Sequence, residues 1–220
     1  MILHIIRHAE SLANIGKSTV IDCELSDLGA TQVLHVARAL QQIGIDRVLS
    51  SPYRRALNTA NGIATEANVP IEIMIGLHEH HPAAFPTEWP LLSRVEMAAH
   101  HPKVELADDF LDRDWHQPPE SEQAAIERMS RTLDAIILKY GATATRLVAV
   151  THGSPAGKLV QAFLGATDPV RAEVVIANAS ITTLEILGTK RFLRGVNMTD
   201  HLSTASSVPP PATLVQPVLL

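Results

Sequence analysis

Ile2-Leu3-His4-Ile5-Ile6-Arg7-His8-Ala9-Glu10-Ser11-Leu12-Ala13-Asn14 is the stretch from which the fold follows. Its apolar run, Ile2 to Ile6, stops at Arg7-His8 and then turns polar. A short, mostly β-branched run without alternation suits a strand covered on both faces, as in a parallel sheet. Open α/β sheets hold their ligands beyond the carboxyl ends of the strands. Arg7 and His8 are therefore expected to leave the core where a ligand would bind.

The same design recurs downstream. Arg146–Thr151 is another buried-strand run, and it ends in His152-Gly153. Between the two lies Ser50-Ser51-Pro52-Tyr53-Arg54-Arg55-Ala56, where a third strand, Arg47–Ser50, opens into a helix. Ser51 reads as the helix N-cap and Pro52 as its first residue. Arg55 then falls in the first turn, beside a helix N-terminus suited to an anion. Two histidines and two arginines converging on one sheet edge describe a site for phosphoryl transfer.

These segments resemble the histidine phosphatase superfamily, the phosphoglycerate mutase-like clan. The resemblance rests on Arg7-His8-Ala9-Glu10 with Ser11 and Asn14, Leu25-Ser26-x-x-Gly29, Ser50-Ser51-Pro52-x-x-Arg55-Ala56 and Thr151-His152-Gly153. Leu77-x-Glu79, Pro119-Glu120-Ser121 and Asn178-Ala179-Ser180 follow in the order that family keeps. Ordered agreement of several motifs is far more specific than any one of them. The chain departs from the family at Ala9, usually Gly, and lacks a Gly-x-Trp-Glu-Gly sequence after the acidic residue.

The resemblance implies that His8 attacks phosphorus and becomes phosphohistidine. Near neutrality an imidazole with its ordinary pKa of about 6.5 can supply the neutral form, and neighbouring guanidinium charges favour that form further. Arg7 and Arg55 are expected to clamp the phosphate through planar, bidentate contacts. His152 is carried over as a donor to the transferring group, and Asn14 as a neutral donor. Glu79 is implied as the general acid for the leaving oxygen and then the base that activates water. Ser11, His78 and Asn178 are further candidates for the pocket. No metal or other cofactor is required, because arginines and histidines carry the positive charge. Two alternatives stand beside a phosphatase: a phosphoglycerate mutase that re-donates the group, and a non-catalytic binder of phosphorylated ligands.

The chain has 220 residues, 46% of them hydrophobic and 19% charged, which suits one well-buried α/β domain. A formal net charge of −5 argues against a nucleic-acid partner. No apolar stretch reaches the length of a membrane span, and the first one is too short for a signal peptide. Cys23 is the sole cysteine, so an internal disulfide is impossible and a reducing cytoplasm is the expected location.

Strand–helix alternation predicts a doubly wound, mostly parallel sheet with helices on both faces over residues 1–202. Helices are expected over Asp27–Gln42, Pro52–Ala67, Ser121–Tyr140 and Pro155–Leu164, with a short strand at Ile71–Ile73. Glu173–Ala177, Ser180–Leu187 and Arg191–Val196 read as closing strands. Residues 76–119 interrupt this alternation and read as a substrate cap. They hold six of the 11 histidines, both tryptophans (Trp89, Trp115), and Phe85 and Phe110. His78-Glu79-His80-His81 lacks the helical spacing of a zinc site. Its histidines are instead expected to add positive potential at mildly acidic pH. Residues 203–220 form a Pro-rich tail without a charged side chain. Its apolar end is expected to dock on the parent domain or on a second copy, as in a homodimer.

Overall fold

A computed structural model of the chain describes residues 1–81, 92–105, 119–142, 145–166 and 174–203. Phe85, Trp89, Phe110, Trp115 and nearly all of the Pro-rich tail lie outside them, as does much of the expected cap.

One seven-stranded sheet organises the domain. Its strands are β1 (Ile2–Arg7), β2 (Arg47–Ser50), β3 (Ile71–Ile73), β4 (Val104–Glu105), β5 (Arg146–Thr151), β6 (Ile181–Leu187) and β7 (Lys190–Met198). They lie in the order β4-β3-β2-β5-β1-β6-β7. The first five are mutually parallel, and β6 and β7 add an antiparallel margin. The doubly wound expectation therefore holds. The α-helices are α1 (Asp27–Ile43), α2 (Arg54–Ala67), α3 (Arg94–His100), α4 (Glu122–Tyr140) and α5 (Gly153–Phe163).

Alternation along the strands explains why both faces need cover. Ile6, Val48, Val148 and Val150 join Val36 and Leu40 of α1 and Ala60 and Ile63 of α2 in one cluster. Leu3, Ile5, Leu49, Leu147 and Ala149 join Met129, Leu133 and Ile136 of α4 and Leu159 of α5 in the other. Residues one apart thus face opposite layers, the period of two that a strand imposes. Burying each such Leu, Ile or Met contributes roughly 1.5–3 kcal/mol, so both layers are needed against the entropy of ordering the chain.

Three expectations need correction. The helix after β2 starts at Arg54, not Pro52, and Ser51 does not cap it. The hydroxyl of Ser51 is engaged with His152, and the Asp22 carboxylate, carried in by another loop, accepts the Arg54 amide at 2.7 Å instead. Val174–Ala177, the described part of the strand expected over Glu173–Ala177, is not a strand. There the Ile176 carbonyl accepts from Arg7 and the Ala177 amide donates to Asn197 Oδ1, so these backbone groups bond to side chains. Finally, the described part of residues 76–119 does not simply overlie the sheet. It contributes β4, which pairs with β3 as the sheet's edge, and α3, opened by a Ser93–Glu96 capping box.

Candidate active site

The central neighbours β2, β5 and β1 end side by side. Arg7 pairs with Thr151 and Ser50 with Val150 across the ladders. The His8 amide continues the first ladder to the Thr151 carbonyl at 2.8 Å. His8 and His152 therefore emerge next to each other, with ring centroids 5.1 Å apart. The loop beyond β1 is held by α1. Ser26 Oγ donates to Glu10 Oε1 at 2.6 Å and accepts the Gly29 amide at 3.0 Å. A Cβ on Gly29 would lie 2.0 Å from the Glu10 carbonyl oxygen, so this close approach requires glycine.

His8 is buried, and its Nδ1–H donates to the Ala9 carbonyl at 2.8 Å. That bond assigns the ring proton to Nδ1 and leaves the Nε2 lone pair facing the site. Arg55 Nε–H donates to this lone pair at 3.1 Å. Burial first, then the charges of Arg55 and Arg7, hold the His8 pKa well below its usual 6.5. His8 is consequently neutral across the physiological range.

Arg55 is anchored from several sides. Its Nη1 donates to the Ile21 carbonyl at 2.6 Å, its Nη2 lies 3.8 Å from Glu79 Oε2, and its guanidinium sits over the Tyr53 ring. Arg7 donates to the Ile176 carbonyl at 2.7 Å, while its buried Nε has no hydrogen-bond partner among the described residues. His152 Nε2 lies 2.8 Å from Ser51 Oγ. Its buried Nδ1 has no hydrogen-bond partner among the described residues and lies 3.6 Å from Glu79 Oε2. Two buried nitrogens, Arg7 Nε and His152 Nδ1, thus lie at the ends of β1 and β5, the second of them turned toward Glu79.

Glu79 follows β3 through a single turn of 3₁₀ helix, Ile75–Leu77. Thr151 Oγ1 donates to the Leu77 carbonyl at 2.6 Å, tying this turn to β5. Arg128 of α4 donates from Nη1 to the carbonyls of Gly76 and His78 and pairs through Nε with Glu120. The His80 amide donates to Glu79 Oε1 at 3.0 Å, so Oε2 is the oxygen turned to Arg55 and His152. Burial raises the Glu79 pKa, against the opposing pull of Arg55, the His80 amide and Arg7.

The smaller candidates separate. Asn14 Oδ1 accepts from the amide and hydroxyl of Ser11 and from Asn178 Nδ2, so among the described residues its amide group is the side-chain donor left without a partner. Asn178 Nδ2 also donates to the His8 carbonyl at 2.9 Å. Ser11 is buried and orients Asn14. His78 is buried with Nδ1 on the Glu79 carbonyl.

Two of the histidines expected to add positive potential do not supply it. Burial, with Arg128 next in effect for His78 and Arg55 for His81, pushes both pKa values down to about 3, so these rings stay neutral at mildly acidic pH. The four residues of that cluster also diverge. His80 reaches the Glu120 carbonyl, and His81 lies 2.7 Å from the Tyr53 hydroxyl. His8, Glu79 and His152 form the one grouping of potential metal ligands among the described residues, with donor atoms within 4.8 Å of one another. Arg55 already donates to His8 there and Arg7 adds a second fixed cation, so the charge of the site suits an oxyanion, not a dication.

A model of the histidine phosphatase superfamily (branch 1) matches residues 3–199. The chain belongs to that superfamily. Among its relatives, this histidine phosphatase chain is 28% identical over 173 residues to the glucosyl-3-phosphoglycerate phosphatase of Mycolicibacterium vanbaalenii, covering 74% of each chain. It is also 28% identical over 209 residues to the 2,3-bisphosphoglycerate-dependent phosphoglycerate mutase of Thermoplasma acidophilum, covering 90% of this chain and 94% of that one. In structure, the histidine phosphatase fold is shared with a mycobacterial glucosyl-3-phosphoglycerate phosphatase, at a TM-score of 0.67 and 24% identity over 90% and 99% of the two chains. The ecdysone phosphate phosphatase of Bombix mori aligns at a TM-score of 0.68 and 13% identity over 90% and 93%.

Thr59, Asp22 and Arg128 support this histidine phosphatase site without having stood out in the sequence, and Ser51, read there as a helix cap, bonds to His152 instead. Thr59 Oγ1 accepts the Ala9 amide and donates to the Arg55 carbonyl, linking the loop that follows His8 to Arg55. The Pro-Glu-Ser helix start pointed to Glu120, and its cationic partner lies eight residues on at Arg128.

Burial also gives the fold a pH dependence. His4, His8, His78, His81, His101, His152 and His201 all have pKa values lowered chiefly by burial. Below their unfolded value of about 6.5 the unfolded chain binds more protons than the folded one, so stability falls with pH. Asp22, raised by burial to about 6, and Glu79 act in the opposite direction but are outnumbered. The thermal midpoint is expected to drop by more than about 4 °C between pH of about 7.5 and about 5. A midpoint unchanged over that interval would contradict the burial argument.

Proposed function

We propose that the protein is a phosphatase hydrolysing a small phosphate monoester through a phosphohistidine on His8, with no cofactor. The observation that carries this reading is the His8 ring, its proton held on Nδ1 by the Ala9 carbonyl and its Nε2 turned to Arg55. Bound phosphate would displace the Arg55 Nε–H from the attacking nitrogen and take the guanidinium for itself, with Arg7 on a second edge. With Ser51 Oγ–H donating to His152 Nε2, the His152 proton would lie on Nδ1 and meet the transferring group as it becomes trigonal. Asn14 adds its amide group.

The in-line step forms a bond from His8 Nε2 to phosphorus and breaks the bond to the leaving oxygen, which takes the proton of Glu79. The Glu79 carboxylate then removes a proton from water, whose oxygen attacks phosphorus and releases His8. An approaching phosphate dianion favours the protonated acid beyond what burial already does. Arginines and histidines at this spacing complete the chemistry at one sheet edge. The phosphoglycerate mutase relative keeps the second reading, re-donation of the phosphoryl group, open to test. No helix among the described residues is long and apolar enough to cross a membrane, and with one free cysteine we place the enzyme in the cytoplasm.

A phosphate-release screen tests the reading. Sugar phosphates, nucleotides, phosphoglycerates and phosphopeptides are assayed with and without added bisphosphoglycerate. Phosphate release independent of bisphosphoglycerate is expected. Isomerisation of phosphoglycerates without release would establish the mutase instead.

A further inference from the structure

Tyr53 touches side chains from both halves of the site, the phosphate clamp and the segment that carries Glu79. It immediately precedes α2, and its carbonyl accepts the Leu57 amide at 2.8 Å. Its own amide donates to Ser51 Oγ at 3.4 Å, the same hydroxyl that meets His152 Nε2. The backbone of Tyr53 is thereby held, and its ring is buried. The Arg55 guanidinium lies 4.9 Å from the centroid of that ring. The His152 ring stands nearly perpendicular to it, at 80° with 5.1 Å between centroids. The tip of Tyr53 reaches His81, whose Nε2 lies 2.7 Å from the hydroxyl.

A phenol in a core needs a partner for its hydroxyl. Tyr53 finds one two residues beyond Glu79. His81 is itself buried, and its carbonyl accepts the Glu120 amide at 2.8 Å. Glu79 therefore sits between two attachments. Upstream, Thr151 and Arg128 hold the carbonyls of Gly76, Leu77 and His78. Downstream, Tyr53 and Glu120 hold His81. The Glu79 side chain is held less directly. Its Oε1 accepts from the His80 amide, while its Oε2 stands 3.8 Å from Arg55 Nη2 and 3.6 Å from His152 Nδ1, beyond hydrogen-bond length. The place of the carboxylate is thus set largely by the backbone that carries it. Burial raises the pKa of the Tyr53 phenol and lowers that of His81 to about 3, so their contact joins two neutral groups across the physiological range.

We infer that Tyr53 is a positioning residue for Glu79: its ring packs on Arg55 and His152, and its hydroxyl, through His81, fixes the Glu79 segment relative to them. The inference rests on the phosphatase reading and deepens it, by naming what registers the acid against the phosphate clamp. Ring and hydroxyl serve different halves of the site, so substitution can separate them. Small errors in the placement of a catalytic group are costly to the step that uses it. Loss of the hydroxyl should therefore harm the esters that need a proton on the leaving oxygen and spare those that do not.

Tyr53→Phe keeps the ring and removes the hydroxyl. His81→Leu removes the other end of the bond, and His81→Gln keeps an amide that can donate or accept there. For each variant kcat/KM is measured with nitrophenyl phosphate, phenyl phosphate and glycerol 3-phosphate, whose leaving groups need a proton increasingly. This parameter covers the steps up to release of the alcohol, so breakdown of phosphohistidine does not enter it. Tyr53→Phe and His81→Leu are each expected to lower the value for glycerol 3-phosphate on the order of 10-fold and that for nitrophenyl phosphate by less than about 2-fold. The double variant should fall no further than either single one, because both break the same bond. His81→Gln should stay near the unsubstituted protein. The ratio between esters is taken on one preparation, so any loss of folded protein cancels. Equal losses for all three esters, no loss, or a His81→Gln protein as impaired as His81→Leu overturns the inference. Failure of the phosphatase reading shows separately, as absence of His8-dependent nitrophenyl phosphate hydrolysis in the unsubstituted protein. The tether is then read by deuterium exchange, where Tyr53→Phe should speed the His80 and Glu120 amides several-fold and leave those of Arg7 and Thr151 unchanged. Unaltered exchange at His80 and Glu120 would overturn it there.

Discussion

His8→Ala is expected to lower turnover of every phosphate monoester by on the order of 10⁴–10⁶-fold, the loss seen when a member of a covalent catalytic unit is removed. The magnitude follows from the number of functions in one ring. In the proposed mechanism Nε2 is the attacking atom; Nδ1 is fixed on the Ala9 carbonyl, and burial and two arginines disfavour the protonated imidazole. Alanine removes the nucleophile and leaves Arg7, Arg55 and His152 without an atom to receive phosphorus. Rapid quenching of wild type with labelled substrate should trap label that survives alkali and is lost in acid, as a phosphoramidate does. The variant should trap none. If most activity remained in His8→Ala, direct attack by water would replace the covalent route. Arg55 loses its His8 partner in this variant, so the thermal midpoint should be recorded alongside to separate lost chemistry from lost structure.

Glu79→Gln tests the second half of the mechanism. An alkoxide leaves poorly without a proton, whereas nitrophenolate leaves readily. Glutamine keeps the size of the side chain and its bond to the His80 amide but has no carboxylic proton. Alkyl esters are expected to lose roughly 10²–10⁴-fold, the usual contribution of a general acid. Formation of phosphohistidine from nitrophenyl phosphate should be nearly spared, while its breakdown slows because the same carboxylate activates water. The expected record is a burst of nitrophenol followed by slow release. Equal first-step losses for both esters, with no burst, would move the acid role to another carboxylate, with Glu88 next to be tested.

What could be read from the sequence follows from how local each signal is. β1 and β5 were legible because a strand buried on both faces needs an apolar run, and the run needs no knowledge of its neighbours. Their ends, Arg7-His8 and His152-Gly153, were legible with them. Ser51 was misread because cap grammar is local, whereas its partner His152 lies 101 residues away. The Asp22 carboxylate that serves the α2 N-terminus comes from 32 residues back, and nothing around Arg54 announces it. Charge was misjudged at His78 and His81 for a related reason. A residue type states what can be protonated, and burial decides whether it is. β4 has two residues, too few for any period, while α3 could have been found from Ser93 and Glu96.

The sheet order has a last consequence, for how the enzyme would fail. Arg7, His8 and His152 stand at the ends of β1 and β5, and Arg55 on the helix that follows β2, three adjacent strands in the interior of the sheet. Glu79 instead hangs beyond β3, a three-residue strand whose outer neighbour, β4, has two residues. Segments with short ladders at a margin open at lower free energy than central ones, and the amides around His78–His80 should exchange with deuterium well before those of Arg7 and Thr151. Sub-denaturing urea should therefore detach the acid while the floor of the site stays folded. In that interval the protein should still label on His8 with an activated phosphate ester yet cease to hydrolyse an alkyl one, giving inactivation in two separable steps.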